Sequence, residues 1–197
     1  MAWLGVPFEH RSVSVFRHFE TFKTINPLVK APTLVCDDGT VLHDSNLILQ
    51  YVEAVAAPGS TKSLWPREAR RLKQALRITA NALVAMEKTV QCVYEHGVRP
   101  PEKLHQPWLD RITEQLLLAY DLIEADVRQS ANTSAARGSI LAGDTLTVAD
   151  ISVAVAWGFT QFTQAHRVPL SRYPATAAFA ATLGGTPEFR AYPVDRE

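Results

Sequence analysis

The segment from Lys30 to Glu53, KAPTLVCDDGTVLHDSNLILQYVE, constrains the fold more tightly than any other part of the chain. A proline opens an extended run, Ala31-Pro32-Thr33-Leu34-Val35-Cys36. The run reverses at Asp38-Gly39, a dipeptide favoured in two-residue hairpin turns because both central residues need positive φ. It returns as Thr40-Val41-Leu42 and stops at Asp44-Ser45-Asn46, three good helix-capping residues. Leu47, Ile48, Tyr51 and Val52 follow at helical spacing. A strand, a hairpin, a cap and a helix are therefore packed into two dozen residues.

This segment has the chemistry of a binding site. A helix start presents unpaired N–H groups and the positive end of a dipole, which suit a carboxylate. Ser45 adds a hydroxyl donor, and Asp44 can accept from an ammonium. A cis Ala31-Pro32 bond would leave the Ala31 N–H and C=O open to an extended peptide. The same Asp44-Ser45 pair also serves as a cap with no ligand. Neither the proline nor the cap marks a site by itself, since about one X-Pro bond in twenty is cis.

A composition of 47% hydrophobic and 20% charged residues supplies ample core for 197 residues. Twenty basic residues balance twenty acidic ones, so no global field draws the chain to nucleic acid or to an anionic membrane. The two cysteines, Cys36 and Cys92, form no C-x-x-C or zinc spacing and fit a reducing cytoplasm. Cys36, inside an apolar strand, reads as a buried structural thiol. The scattered histidines give no metal site. No apolar run approaches the ~20 residues of a membrane span, and the first residues lack the pattern of a signal peptide.

Ala2–Val6 reads as the end of a helix stopped by Gly5 and Pro7. The alternation over Phe8–Val15 predicts a strand. Arg17–Ile25 is a short polar helix or loop, stopped by Asn26-Pro27. After the helix that starts at Ser45, residues 58–65 combine Pro, Gly and Ser and predict a linker between domains 1–57 and 66–197. A long helix is expected from about Pro66 to Glu95, with Leu72, Leu76, Leu83 and Val90 as its apolar stripe. Leu109, Ile112, Leu116, Tyr120, Ile123 and Val127 mark another. Ser130–Ser139 reads as a polar loop. Thr147 and Asp150 then form a capping box, with Leu146 and Ile151 as its hydrophobic staple, opening an apolar helix through the second domain.

The proline, hairpin and cap, followed about a hundred residues later by the T-x-x-D box, resemble the cytosolic glutathione S-transferase family. The resemblance implies an α+β protein, with a thioredoxin-like domain over 1–57 and an all-α helical bundle over 66–197. It implies that the residue before a cis proline pairs by its backbone with the cysteine of glutathione, and that the acidic-Ser pair holds the γ-glutamyl end. Lys30, Ala31, Pro32, Asp44 and Ser45 are then the glutathione-binding residues. Met86, Val90 and Tyr94 are candidates for an electrophile pocket, or equally ordinary core. Glutathione is expected as co-substrate, a small electrophile as second substrate, and a homodimer in the cytoplasm as the working form. Ala31 replaces the commoner valine, and Asp44 the commoner glutamate, which shortens its reach.

The family's first strand, its catalytic loop and most of its first helix are expected to be missing, about twenty residues in all. The thioredoxin-like domain is therefore expected to be truncated, and no catalytic residue is identifiable in the chain. A start placed too late, or a shortened non-catalytic relative, would each account for this. Three functions stay open: a transferase joining the glutathione thiol to an electrophile, a non-catalytic interaction module of the same body, and a thiol reductase.

Overall fold

The hairpin forms as two short antiparallel strands, β1 (Thr33–Val35) and β2 (Val41–His43), with Leu34 opposite Leu42. The computed structural model describes residues 1–56, 62–133 and 140–193. The turn differs from the expected two-residue type. Gly39 N–H donates to the Cys36 carbonyl and Cys36 N–H to that of Thr40, so three residues, Asp37-Asp38-Gly39, make the reversal. Only Gly39 has positive φ (83°), while the Asp38 carboxylate accepts from Thr40 N–H at 2.9 Å. This is a three-residue loop with glycine in the left-handed position.

The chain divides into two compact units, Met1–Ser63 and Leu64–Arg196. Of the expected 58–65 linker, residues 58–61 lie outside the described residues. In the first unit, a 3₁₀ turn over Ala2–Leu4 ends at Gly5, and helix α1 (Phe19–Ile25) and helix α2 (Ser45–Val55) follow, α2 packing on β2. Leu4, Phe22, Ile48 and Val52 are its buried apolar side chains among the described residues. The strand expected over Phe8–Val15 does not form. Alternation supplies a face but not a ladder partner, and the described sheet holds β1 and β2 alone.

The second unit is helical: α3 (Ala69–Gly97), α4 (Gln106–Thr133), α5 (Val148–Gln164), α6 (Pro174–Gly184) and α7 (Pro187–Ala191). Helix α3 packs along both α4 and α5, and α6 closes against α4 and α5. The stripe predicted on α4 is buried throughout, from Leu109 to Val127. The stripe predicted on α3 is not the buried one. Leu76 and Leu83 stand 49% and 39% exposed, while Ala75, Ile78, Thr79, Ala82, Ala85, Thr89 and Cys92 face inward. Small residues let two helices approach α3 closely, which bulky leucines on that face would prevent. The polar loop expected over Ser130–Ser139 begins late, because α4 continues to Thr133; residues 134–139 lie outside the described residues.

Several polar side chains buried in this unit are tied into the packing, while Thr79 Oγ1 and Asp126 Oδ2 are buried with no hydrogen-bond partner among the described residues. The Tyr120 hydroxyl donates to Thr160 at 2.7 Å, and Thr160 meets Thr89 at 2.8 Å, joining α4, α5 and α3. Glu124 on α4 caps α6 from outside it, accepting from Ala175 N–H, Thr176 N–H and the Thr176 hydroxyl at 2.7–3.0 Å. Burial pushes the Glu124 carboxyl up; these bonds and Arg128 together outweigh it and hold the group below its ordinary value. The Thr147–Asp150 capping box forms at the start of α5. Asp150 Oδ2 accepts from Thr147 N–H (2.7 Å) and hydroxyl (2.6 Å), and Oδ1 from Leu141 N–H (2.7 Å). Here burial outweighs the bonds, and the carboxyl sits above its ordinary value.

Candidate functional site

The segment leading into β1 is a tight turn built around a buried asparagine. Asn26, 2% exposed, donates from Nδ2 to the Thr33 hydroxyl (2.9 Å) and to the Lys30 carbonyl (3.5 Å). Its Oδ1 accepts from Leu28 N–H at 3.0 Å, and its carbonyl accepts from Val29 N–H at 2.9 Å. Thr33 closes the turn by donating to the Lys30 carbonyl at 2.5 Å. Val29 is held at φ 47°, a costly conformation for a β-branched residue.

The Ala31-Pro32 bond that follows is cis. Ala31 and Pro32 are exposed, as is the Lys30 side chain. Ala31 lies outside the β1–β2 ladder, and among the described residues neither its N–H nor its C=O has a hydrogen-bond partner. Sequence patterning did not single out Asn26. The visible signal was a helix stop, and a stop does not reveal that a side chain is buried.

At the start of α2, Asp44 is the N-cap. Its Oδ1 accepts from Asn46 N–H (2.9 Å) and Leu47 N–H (3.3 Å), and its backbone sits at φ 74°, outside the regions a non-glycine residue favours. One carboxylate oxygen is thus committed to the helix, and the other has no protein partner among the described residues. The half-buried Ser45, in the first turn, has a hydroxyl with no partner among the described residues. The Asn46 and Leu47 N–H groups are taken by Asp44, so the Ser45 N–H, its hydroxyl and the dipole end are what the helix start offers an anion.

Cys36, expected to be buried, is half-buried at the hairpin, and the neighbouring thiol holds the Tyr51 phenol on α2 above its ordinary pKa. In the second unit, Met86, Val90 and Tyr94 follow one another at four-residue spacing on α3. Met86 and Val90 are half-buried and Tyr94 is exposed; Met86 packs on the core. Two cavities of this unit, about 440 and 180 Å³, lie along α4 and beside α6, and neither is lined by these three residues. Thr147 and Asp150 are buried and serve the fold. No helix among the described residues is long and apolar enough to cross a membrane.

Comparison with known proteins gives concordant matches. The pattern described as "Glutathione S-transferase, N-terminal domain" matches residues 1–60, and "Glutathione S-transferase, C-terminal domain" matches residues 106–181. A relative from Escherichia coli (strain K12), the "Uncharacterized GST-like protein YibF", is 26% identical over 159 residues, covering 80% of this chain and 72% of its own. A crystal structure of a glutathione transferase family member from Pseudomonas fluorescens Pf-5 with bound glutathione is 29% identical. It covers 89% of this chain and 80% of that one, with a TM-score of 0.73. A glutathione S-transferase from Methylobacterium radiotolerans in complex with glutathione sulfonate is 22% identical, with coverage of 100% and 90% and a TM-score of 0.82. At that identity it supports the fold alone.

Proposed function

The chain belongs to the glutathione S-transferase family, a thioredoxin-like domain followed by a helical one, and from that premise we propose that it binds glutathione along Lys30–Pro32 and Asp44-Ser45. The Ala31 backbone pairs with the cysteine residue of the tripeptide, and Asp44 and Ser45 receive the ammonium and carboxylate of its γ-glutamyl end. The observation that carries this reading is the pair of unspent groups in one small unit. These are the Ala31 backbone and the Ser45 hydroxyl, each without a partner among the described residues. The relative from Pseudomonas fluorescens, with glutathione bound, supports it.

The reaction we propose is conjugation of the glutathione thiol to a small electrophile, with Met86, Val90 and Tyr94 as contacts for the electrophile. A free thiol has a pKa of about 8.5, and lowering it by about two units takes about 2.7 kcal/mol of preferential thiolate stabilisation. No donor for that role is assigned among the described residues. The working form is a homodimer in the cytoplasm, with the exposed leucines of α3 and α4 (Leu76, Leu83, Leu118, Leu122) offering apolar surface to a second copy. Calorimetric titration with glutathione, and turnover of a model electrophile at neutral pH, test this reading. Saturable binding with turnover is expected. Binding without turnover would replace conjugation by a non-catalytic interaction role, and no binding would remove the site.

A further inference from the structure

A ligand that pairs with the Ala31 backbone needs that N–H to point one way before the ligand arrives. Otherwise part of the binding free energy goes into ordering the loop. Nothing on Ala31 itself supplies this, since its side chain is one methyl group and it lies outside the ladder. The group that can supply it is the carbonyl of Lys30. A trans peptide is planar, so the Lys30 C=O and the Ala31 N–H lie in one plane and point in opposite directions. The Lys30–Ala31 bond is not among the cis bonds. Whatever holds the Lys30 oxygen on one side therefore sets the direction of the Ala31 N–H on the other.

Two side chains hold that oxygen. The Thr33 hydroxyl donates to it at 2.5 Å, and Asn26 Nδ2 reaches it at 3.5 Å while donating to the same hydroxyl at 2.9 Å. The Asn26 bond to Thr33 engages an oxygen lone pair and leaves the hydroxyl proton for Lys30. Thr33 is itself anchored, because it pairs with His43 across the hairpin. Asn26 is anchored by burial and by the Leu28 N–H on its Oδ1. The turn it spans contains Val29 at φ 47°, a conformation that persists only where the surroundings over-determine it.

We propose that Asn26 and Thr33 are positioning residues for glutathione, acting through the Lys30 carbonyl to aim the Ala31 N–H at the tripeptide's main chain. This rests on the reading of the site given above. Neither side chain touches the ligand. Asn26 orients the Thr33 hydroxyl, the hydroxyl fixes the Lys30–Ala31 peptide plane, and the plane presents the N–H.

The test is glutathione affinity by calorimetry on the whole chain, with melting curves recorded alongside so that each variant is titrated while folded. Wild type should bind. Thr33→Val, which keeps the shape and removes the hydroxyl, should bind about tenfold more weakly, and Thr33→Ser should stay within about twofold of wild type. Asn26→Ala should weaken binding by about tenfold or more. If it does not fold, the Thr33 pair decides. Lowered melting temperatures with unchanged affinity would make both residues purely structural and overturn the proposal. Equal losses in Thr33→Ser and Thr33→Val would do the same, because the hydroxyl would not be the operative group. No binding by wild type would mark failure of the site itself, and the positioning role would fall with it.

Discussion

Among the described residues, the two units differ in where their unpaired polar groups lie: in Leu64–Arg196 they are buried, at Thr79 Oγ1 and Asp126 Oδ2, and in Met1–Ser63 they stand at the surface. In Leu64–Arg196, Asp150 makes three short hydrogen bonds, Glu124 caps a neighbouring helix, and Tyr120, Thr160 and Thr89 are joined to one another. In Met1–Ser63, Asn26 is enclosed in the same manner, but the Ala31 backbone and the Ser45 hydroxyl are left open among the described residues. The apolar interior differs as well. The second unit has a continuous core that includes Tyr120, Trp157 and Tyr173, while the first has a few buried aliphatic and aromatic side chains. The contrast separates two uses of polarity. Groups satisfied inside the fold specify structure, and accessible groups left unpaired are available to a ligand.

Substitutions in the two units should therefore be read out by different measurements. The largest loss is expected for Trp157→Ala, which removes a buried ring lying 5.3 Å from Tyr120 and 6.3 Å from Tyr173. Chemical denaturation should show about 3–5 kcal/mol of destabilisation; a loss below about 1 kcal/mol would mean that the ring cluster does not carry the core. Asp150→Ala leaves the N–H groups of Leu141 and Thr147 buried without their acceptor, and about 2–4 kcal/mol should be lost. Unchanged stability would show that the box does not close in solution. Glutathione affinity of the folded fraction should be unaffected by either change.

Glu124→Gln should cost less, about 1–2 kcal/mol at neutral pH, because the amide keeps one acceptor oxygen. Its more telling signature is in pH. The folded-state pKa of Glu124 is depressed, so its contribution is present above the unfolded carboxyl value of about 4.3 and is lost as pH falls through the folded value. Asp150, whose pKa is raised, acts the other way: its titration favours the fold below about 3.9 and that contribution is lost as pH rises through the folded value. Stability curves should thus show a gentler acid limb in Glu124→Gln than in wild type. An unaltered limb would assign the acid sensitivity to other carboxylates. The smallest stability effect is expected from Ser45→Ala, within about 0.5 kcal/mol, with glutathione binding weakened about fivefold to tenfold. A large stability loss with unchanged binding would reverse the contrast between the units.

How much of this was legible in the sequence depended on whether the deciding physics was local. The Thr147–Asp150 box and the Asp44 cap follow from a few adjacent residues, and they were readable. So was the buried stripe of α4, where large apolar side chains recur at helical spacing. The cis Ala31-Pro32 bond was expected from the family resemblance, since an X-Pro pair alone is cis about one time in twenty. Helix α3 was read on the wrong face, because its inward side carries alanine and threonine and its leucines face outward. Closeness of approach is a property of the neighbours, which periodicity does not encode. Phe8–Val15 had the pattern of a strand without the partner that would make one. Asp38-Gly39 marked the reversal, but the register of the flanking bonds made the loop one residue longer. Asn26 was visible only as a stop before proline; its burial, and hence its hold on the Lys30 carbonyl, comes from tertiary packing.

The three hydroxyls at the centre of the helical unit have a mechanical consequence. An inward face of alanines and threonines on α3 presents shallow ridges, and shallow ridges resist axial sliding or rotation of one helix past another only weakly. Dispersion between such surfaces changes little with a small slip. The bonds from Tyr120 to Thr160 and from Thr160 to Thr89 do not share that tolerance, since a shift of about an ångström takes a hydroxyl pair out of hydrogen-bonding range. They act as a dowel through three rods, fixing the stagger of α3, α4 and α5 at one height while the smooth faces supply the closeness.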